Sequence, residues 1–342
     1  MEPSRSYDCL LWLSFGGPEK PEDVMAFLRN VTRGRSIPEE RLALVAEQYK
    51  LFGGTSQINE QNRQLISLVR AALKEINIDL PIYFGNRNWD PYVVDALSQI
   101  ATDGHRSVLV FTTSAYGSYS ACRQYREDLE QANDLLQASS ELEIVKIRHY
   151  FDHPLFIEGL LSGIEETVQG GFTITSPDAA VIATAHSIPI EMTNRALYVD
   201  QLASVRRELG SRLSSQHGMP IEVLEAYQSR SGAPSQPWLE PDVSDTLKDL
   251  AQRGVRQVLV VPIGFISDHQ EVRYDLDTLA ASSAASLGLS FFRSPTVSNA
   301  PQFTPMVIDL VEEYLYRREP KRIAGSAPQS WVCSAQCCLR ES

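Results

Sequence analysis

Three side chains that can bind a cation or accept a proton follow one buried strand. The apolar, β-branched run Val258–Ile263 predicts that strand, and His269, Glu271 and Asp275 follow it on a predicted helix. Glu271 and Asp275 are four residues apart, so they share one helical face. Two carboxylates on one face, with no lysine to pair with them, indicate a cation site or a proton path. An acidic first turn favoured by the helix dipole gives the same pattern.

The predicted helix begins close to the end of the strand. Gly264 ends the strand, and Ser267 or Asp268 can cap the helix, with Gln270 or Glu271 three residues further on. In open α/β sheets, ligands bind at the carboxyl ends of the strands. We therefore expect a ligand site where this helix starts.

His186 stands at the equivalent place of another strand. It follows the apolar run 181–185 directly, so it faces the same crevice as Glu271 if both strands belong to one sheet. A neutral imidazole is a base near pH 7 and a ligand for divalent iron or zinc. A single histidine at such a place is usually a hydrogen-bonded loop residue, but its pairing with an acidic helix start favours the functional interpretation.

Strand and helix patterns alternate along the whole chain, which predicts parallel sheets flanked by helices. The pattern repeats, because residues 103–110 align with 253–260, and 81–91 align with 220–242 across a longer loop. We predict an α/β fold of two similar Rossmann-like lobes with a ligand cleft between them. The predicted units are an N-terminal lobe (1–155), a C-terminal lobe (156–319) and a linker with a cysteine-rich tail (320–342).

The predicted strands are short and apolar, and helical patterns separate most of them. They cover Tyr7–Phe15, Ile82–Gly85, Ser107–Thr112, Ile144–His149, Ala179–Ala185, Ile221–Ala226 and Val258–Ile263. The helical patterns include Pro38–Leu51, Asn59–Glu75, Pro91–Thr102, Tyr198–Gln216 and Pro241–Arg253. His149 and His153 are four residues apart, but Pro154 argues against a shared helical face, so both are interpreted as structural.

Composition and motifs exclude several classes of protein. The chain has 342 residues and a net charge of −12, which argues against a nucleic-acid footprint. We expect no signal peptide and no membrane span, and hence a cytoplasmic protein. No Gly-x-Gly-x-x-Gly, Walker or Gly-x-Ser-x-Gly motif is present, so a nucleotide cofactor and a serine hydrolase have no support.

Several long motifs resemble the signatures of ferrochelatases. They are TAHSIP (184–189), YQSRSGAPSQPWLEPD (227–242), PIGFISDHQEVRYDLD (262–277), LSFGGPE (13–19), FGGTSQIN (52–59) and the loop 116–125. The resemblance covers nearly all the chain in order. NVTRGR and FGNRNWDPYV look most similar to the actinobacterial group, which is associated with coproporphyrin III rather than protoporphyrin IX.

The resemblance implies that the protein inserts Fe²⁺ into a porphyrin with loss of two pyrrole protons. His186 matches the active-site histidine of the family, and Glu271 matches the carboxylate that faces it across the macrocycle. His269 and Asp275 match their neighbours on the acidic helix. The implied partners are coproporphyrin III and ferrous iron as substrates and a coproheme decarboxylase that receives the product. We expect a monomer.

Six side chains are expected to contact the porphyrin, by ring stacking or by binding propionates: Phe15, Tyr125, Trp238, Arg33, Arg35 and Ser56. A guanidinium binds a carboxylate bidentately. A place in the hydrophobic core is an equal alternative for each aromatic residue, and for Tyr125 it is the favoured one. The alternative for Arg33 and Arg35 is a solvated basic turn. Phe15 replaces a tyrosine of firmicute relatives, which excludes axial ligation from that position. The predicted helix Pro38–Leu51 is expected to lack an exposed apolar lip.

Four of the five cysteines suggest an iron–sulfur cluster. Cys333, Cys337 and Cys338 lie in the last ten residues, and their spacing is not a standard zinc motif. Three close thiolates and one distant cysteine suit a 2Fe–2S cluster, which needs four ligands. Cys122 matches the internal ligand of cluster-bearing ferrochelatases. The alternative is a tail with free thiols.

Other functions stay open on the sequence alone. They are insertion of iron into protoporphyrin IX, insertion of cobalt or nickel into a sirohydrochlorin-type ring, a periplasmic-type two-lobe binding protein, and a non-catalytic porphyrin or haem carrier. A binding protein of that type needs a signal peptide and leaves His186 with Glu271 unexplained. A carrier binds the same ring in the same cleft, so turnover distinguishes it from an enzyme.

Overall fold

Two four-stranded parallel sheets form the framework of the protein. A computed structural model describes residues 7–34, 37–137, 140–193, 197–231, 235–326 and 337–338. The first sheet has the order β2-β1-β3-β4 and the second the order β6-β5-β7-β8. The strands of the first sheet are β1 (Cys9–Ser14), β2 (Ile82–Asn86), β3 (Ser107–Thr112) and β4 (Glu143–Lys146), and those of the second are β5 (Ala179–His186), β6 (Val223–Gln228), β7 (Gln257–Val261) and β8 (Ser290–Arg293).

The predicted internal repeat is confirmed by this shared strand order, which makes the fold two similar α/β lobes. Equivalent hydrogen bonds support it, because the Asn86 backbone N–H donates to the Pro91 carbonyl (2.7 Å) and the Tyr227 N–H donates to the Pro241 carbonyl (2.8 Å). The central strands are buried on both faces, as parallel sheets require. Register places His186 beside Gln228, at the carboxyl edge of the second sheet.

Helices cover both faces of each sheet. They are α1 (Asp23–Val31), α2 (Glu39–Lys50), α3 (Ile58–Glu75), α4 (Val93–Thr102), α5 (Gln124–Asp134), α6 (Pro154–Gln169), α7 (Tyr198–His217), α8 (Val243–Gln252), α9 (Gln270–Val272), α10 (Ala281–Ser286) and α11 (Phe303–Tyr316). A π-helical stretch, Arg273–Ala280, joins α9 to α10 without a break. A second one, Tyr119–Arg123, precedes α5.

The largest hydrophobic core draws on both sheets. It contains Trp12 and Phe111 from the first sheet and Val261 from the second. Helix α11 packs against α6 and α3. Because α3 lies between β1 and β2 in the chain, the last long helix contacts the part of the chain that forms the first sheet. The predicted unit boundaries at residues 155 and 319 stay a prediction.

Three elements are missing from the sequence prediction: α6, β8 and α11. Helix α6 begins at Pro154, the first helical position, where the missing N–H costs nothing. His153 caps it, since its Nδ1 accepts a hydrogen bond from the Leu155 N–H (3.2 Å). Burial, together with the nearby charge of Arg148, lowers the pKa of His153 to about 3. His153 is therefore a neutral structural residue.

Helix α2 differs from expectation at its surface. Leu44 and Leu51, beside its C-terminus, expose 69% and 64% of their area, so the expectation that this segment lacks an exposed apolar lip is wrong for these two side chains. Single exposed leucines are ordinary on soluble proteins. Among the helices that the structure describes, none combines the length and apolarity needed to cross a bilayer.

Candidate active site

His186 and Glu271 meet at the carboxyl edge of the second sheet. His186 is the last residue of β5, and Glu271 lies in α9, which follows β7. Because β5 and β7 are hydrogen-bonded neighbours, the two side chains come together, with His186 Nε2 and Glu271 Oε1 3.4 Å apart. Their side chains are 34% and 45% exposed, so both are partly accessible to solvent.

This contact corrects one expectation. The resemblance predicts that Glu271 faces His186 across the macrocycle, but two side chains whose polar atoms are 3.4 Å apart leave no room for a planar ring between them. The two groups therefore lie on the same side of any planar ring that binds next to them.

Each member of the pair stabilises the charged form of the other. Burial alone lowers the pKa of His186, but the Glu271 carboxylate and the Ser187 carbonyl outweigh it and raise the pKa above its usual value. Burial raises the pKa of Glu271, and the charge and hydrogen bond of His186 more than reverse that effect, to about 2. The pair therefore favours a proton on His186 and a negative charge on Glu271, and a divalent cation competes with that proton.

His269 caps the helix that carries Glu271. Its Nδ1 accepts a hydrogen bond from the Glu271 N–H (3.2 Å), so the prediction that Ser267 or Asp268 is the cap is wrong. Asp268 instead accepts hydrogen bonds from Arg293 (2.7 Å) and Asn299 (2.7 Å). Burial and the neighbouring His186 lower the pKa of His269. A neutral His269 fixes the backbone of Glu271 rather than carrying charge.

Asp275 lies on the π-helical stretch beyond Glu271. Burial, reinforced by the Glu271 charge, raises the pKa of Asp275 to about 6. The Ser229 hydroxyl donates a hydrogen bond to Asp275. Ser229 is absent from the predicted site residues, although it follows the end of strand β6 just as those residues follow their strands. That position is the signal by which it could have been found.

The predicted ring contacts have different surroundings. Phe15 directly follows β1 and is 37% exposed, and Trp238 pairs with Pro189 next to the His186 segment. Tyr125 is 4% exposed and packs in the core of the first lobe, with the Arg87 guanidinium over its ring at 4.6 Å. The structure therefore corrects the prediction for Tyr125, which has no free ring face.

Of the predicted propionate contacts, Arg35 lies outside the described residues. Arg33 is exposed and donates to Asn30 Oδ1 (2.9 Å). Ser56 lies beside the segment that carries Phe15, since a Cβ on Gly17 would come within 2.7 Å of the Ser56 Cβ. Phe15 and Ser56 therefore lie in one region, whereas Arg33 is held by its own helix.

Two contacts join the first lobe to the segments around the acidic helix. The Arg273 guanidinium lies 4.6 Å from the centre of the Phe52 ring, and Arg41 donates a hydrogen bond to the Ser231 carbonyl (2.7 Å). Burial, and to a lesser degree the charge of Glu271, raises the pKa of Tyr49. The end of α2 therefore stands close to Glu271.

The described cysteines of the predicted cluster lie near one another. The sulfur atoms of Cys337 and Cys338 are 3.6 Å apart. Burial, then Cys337 and then Cys122, raises the pKa of Cys338 to about 12. Cys333 lies outside the described residues. Among the residues described, no group of three or more His, Cys, Asp or Glu side chains is arranged to hold a metal ion.

Comparison with solved structures defines the class of the fold. SirB from Bacillus subtilis with Fe³⁺ matches 91% of this chain and 96% of its own, with a TM-score of 0.53 and 10% identity. DR2241 from Deinococcus radiodurans, described as structurally similar to chelatases, matches with a TM-score of 0.51 and 13% identity over 92% of this chain, which spans 56% of DR2241. The fold is that of the two-lobe chelatases.

Sequence relatives then give the family. The Ferrochelatase family model matches residues 7–315. Coproporphyrin III ferrochelatases of Streptomyces griseus and Mycolicibacterium smegmatis are 44% and 45% identical, over 97% and 94% of this chain and 93% and 94% of theirs. The relative from Streptomyces coelicolor is 47% identical over 90% of this chain and 85% of its own. The chain belongs to the ferrochelatase family.

Proposed function

We propose that this protein inserts Fe²⁺ into coproporphyrin III and releases Fe-coproporphyrin and two protons. The observation that carries the proposal is the contact between His186 Nε2 and Glu271 Oε1 at the open edge of the second sheet. The choice of porphyrin is supported by the relatives of 44–47% identity, which are named coproporphyrin III ferrochelatases.

His186 and Glu271 together suit the transfer of iron. An imidazole nitrogen and a carboxylate oxygen both bind Fe²⁺, and a site with few protein ligands can release the ion to the pyrrole nitrogens. Once the iron has passed from these two groups to the ring, either group is free to accept a pyrrole proton. The iron thus enters and the protons leave on the same face of the ring.

The first lobe supplies the proposed porphyrin contacts. Phe15 is partly exposed, and Ser56 lies beside Gly17 of the same segment. Trp238, the proposed contact from the second lobe, is 8% exposed and pairs with Pro189. Arg33 and Arg35 are the proposed partners of propionates, which coproporphyrin carries in greater number than protoporphyrin. A guanidinium pairs with a carboxylate in a planar, bidentate geometry.

The test is anaerobic Fe²⁺ insertion into coproporphyrin III and protoporphyrin IX, measured side by side. We expect a higher kcat/KM with coproporphyrin III. A preference for protoporphyrin IX would overturn the substrate and keep the reaction. Binding of either ring without insertion would favour a porphyrin or haem carrier.

We further propose a 2Fe–2S cluster held by Cys122, Cys333, Cys337 and Cys338. Thiols are the ligands that such a cluster requires, and two of them, Cys122 and Cys338, are each almost fully buried. The influence of Cys122 and Cys337 on Cys338 supports a common site. When bound, the cluster supplies an inorganic group able to accept an electron. No step of iron insertion depends on it here.

Cys122→Ser is expected to remove the visible absorption of the purified protein and its acid-labile sulfide, because a hydroxyl does not replace a thiolate ligand. The matched control is Cys9→Ala, since Cys9 is buried in strand β1, away from the tail. The control should keep the absorption. An unchanged spectrum in Cys122→Ser would contradict this ligand set.

The cellular setting is also a proposal. We infer a monomeric cytoplasmic enzyme that passes its product to a coproheme decarboxylase. The support is the resemblance to the actinobacterial group.

A further inference from the structure

Arg293 connects two aspartates of the segment that carries the acidic site residues. It is the last residue of strand β8 (Ser290–Arg293). Its Nη1 donates a hydrogen bond to Asp268 Oδ1 (2.7 Å), and its Nε and Nη2 donate to the two carboxylate oxygens of Asp277 (2.5 and 3.1 Å). The side chains of Arg293 and Asp268 are only 17% and 16% exposed, so these contacts differ from an ordinary surface ion pair.

The two aspartates stand at the two ends of one short segment. Residues 268–277 include His269, Glu271 and Asp275, and they run from the helix cap through α9 into the π-helical stretch. A π-helical stretch is rare and occurs frequently at functional sites. Because the Arg293 guanidinium binds both ends, it limits how far the segment between them can shift.

The chain that follows β8 holds the first end of the segment as well. Asn299 Nδ2 donates a hydrogen bond to Asp268 Oδ2 (2.7 Å), and the Ser298 backbone N–H donates to the Ile266 carbonyl (3.0 Å). Asp268 directly precedes His269, which caps α9. The helix cap is therefore fastened to the chain around β8 through the residue before it.

The sheet order places His186 and Arg293 on opposite sides of the segment. Strand β7 lies between β5 and β8, and residues 268–277 follow β7 in the chain. His186 is the last residue of β5, and Arg293 is the last residue of β8. The segment that carries Glu271 thus has the imidazole on one side and the guanidinium on the other.

We propose that Arg293 is a positioning residue that holds Glu271 against His186 and thereby sets the affinity of the site for Fe²⁺. This inference rests on the proposed function. Arg293 acts through Asp268 and Asp277 and does not need to touch the iron or the porphyrin. Groups that orient metal ligands in this way typically change metal affinity or activity by about 10- to 100-fold when they are removed.

Arg293→Met removes both connections. It is expected to raise KM for Fe²⁺ by about 10- to 100-fold, because Glu271 is then free to move away from His186. KM for porphyrin should change little. The dissociation constant for Fe²⁺ without porphyrin, from anaerobic calorimetry, should rise by a similar factor. Arg293→Lys should recover only part of the loss, since an ammonium lacks the planar fork that binds a carboxylate bidentately.

Asp277→Asn weakens one connection and leaves Arg293 and Asp268 in place, so it serves where Arg293→Met does not fold. The Asp277 side chain is 35% exposed, and a partly exposed ion pair contributes little to stability. The melting temperature should therefore stay close to that of the wild type. KM and the dissociation constant for Fe²⁺ are nevertheless expected to rise, because the far end of the segment is no longer held.

The matched control is Arg212→Met. Arg212 also contacts two carboxylates, since it donates to Glu158 and lies 3.8 Å from Glu208, but all three residues belong to helices α6 and α7. This variant should keep the wild-type constants for Fe²⁺ and porphyrin.

Unchanged KM and dissociation constants for Fe²⁺ in Arg293→Met and Asp277→Asn would overturn the positioning role. A lower melting temperature with unchanged constants for Fe²⁺ would overturn it too, since an ion pair that only stabilises the fold gives that pattern. Failure of the wild type to insert iron into any porphyrin would instead remove the proposed function, and this inference with it.

Discussion

His186→Ala is expected to lower the rate of Fe²⁺ insertion by about 10²–10⁴-fold, the range for removal of a positioned acid–base group. The imidazole is the partner of Glu271 at 3.4 Å, so its loss removes a proposed iron ligand and a proposed proton acceptor together. Porphyrin affinity should stay close to that of the wild type, because the proposed ring and propionate contacts lie elsewhere. Anaerobic insertion assays and fluorescence titration with porphyrin measure the two quantities.

The matched control for this variant is His217→Ala. His217 is the last residue of α7 and takes no part in the described site, so insertion should continue at the wild-type rate. Retained turnover in His186→Ala would contradict the assignment of His186. Loss of porphyrin binding together with turnover would show that His186 holds the ring rather than the iron.

The removal of His186 also has a defined electrostatic consequence. The charge and hydrogen bond of His186 are the main influences that hold the pKa of Glu271 down, against burial. Without them the pKa of Glu271 rises, and the carboxylate takes up a proton at a higher pH than in the wild type. Fe²⁺ then competes with that proton for the one remaining ligand, so the defect in iron binding should grow as the pH falls.

The sequence predicts the parallel framework because each buried strand is a continuous apolar run that ends in a glycine, proline or polar residue. It also predicts the place of His186 and Glu271, since the carboxyl ends of neighbouring parallel strands meet at one edge. The repeat of residues 103–110 at 253–260 indicates that the two lobes share a topology, which the equal strand orders confirm.

The relation between the two site residues is not encoded locally. The strand order places β5 beside β7, but whether two side chains at one edge touch or face each other depends on backbone angles after each strand. Here the His269 cap fixes the first turn of α9 and directs Glu271 onto His186. The resemblance alone predicts a ring between them, which the contact excludes.

The core role of Tyr125 and the hydrogen bond from Ser229 to Asp275 also depend on tertiary structure. The aromatic side chain of Tyr125 is of a type that stacks on a porphyrin, but the packing of α5 on the first sheet buries it under Arg87. Ser229 belongs to the quoted motif 227–242, but its left-handed φ appears only once the chain is folded. Local propensity does not specify either feature.

A buried ion cluster gives the second large prediction, on stability. Arg148 follows β4 and is 5% exposed. Its Nε and Nη2 donate to the Glu313 carboxylate of α11 (2.8 and 3.0 Å), and its Nη1 donates to Asp152 (2.9 Å). Because Glu313 and Asp152 have side-chain exposures of 2% and 0%, water cannot replace the guanidinium. The cluster fastens the last long helix to the end of the first sheet.

Arg148→Met is therefore expected to lower the free energy of unfolding by about 3–5 kcal/mol, the usual cost of leaving a buried charge without its partner. Urea denaturation followed by circular dichroism measures the change. The matched control is Arg253→Met, whose partner Asp249 is mostly exposed (side-chain exposures 61% and 63%). An exposed pair of this kind contributes about 0–1 kcal/mol. Equal losses in the two variants would contradict the prediction.

The double variant Arg148→Met with Glu313→Met tests the cause of the loss. If the cost arises from buried carboxylates, the second substitution removes one of the two carboxylates that have lost the guanidinium. The double variant should then be more stable than Arg148→Met alone. If the cost arises instead from lost packing of the Arg148 side chain, the second substitution should add a further loss. The sign of that coupling decides whether charge pairing or packing holds α11 to the first lobe.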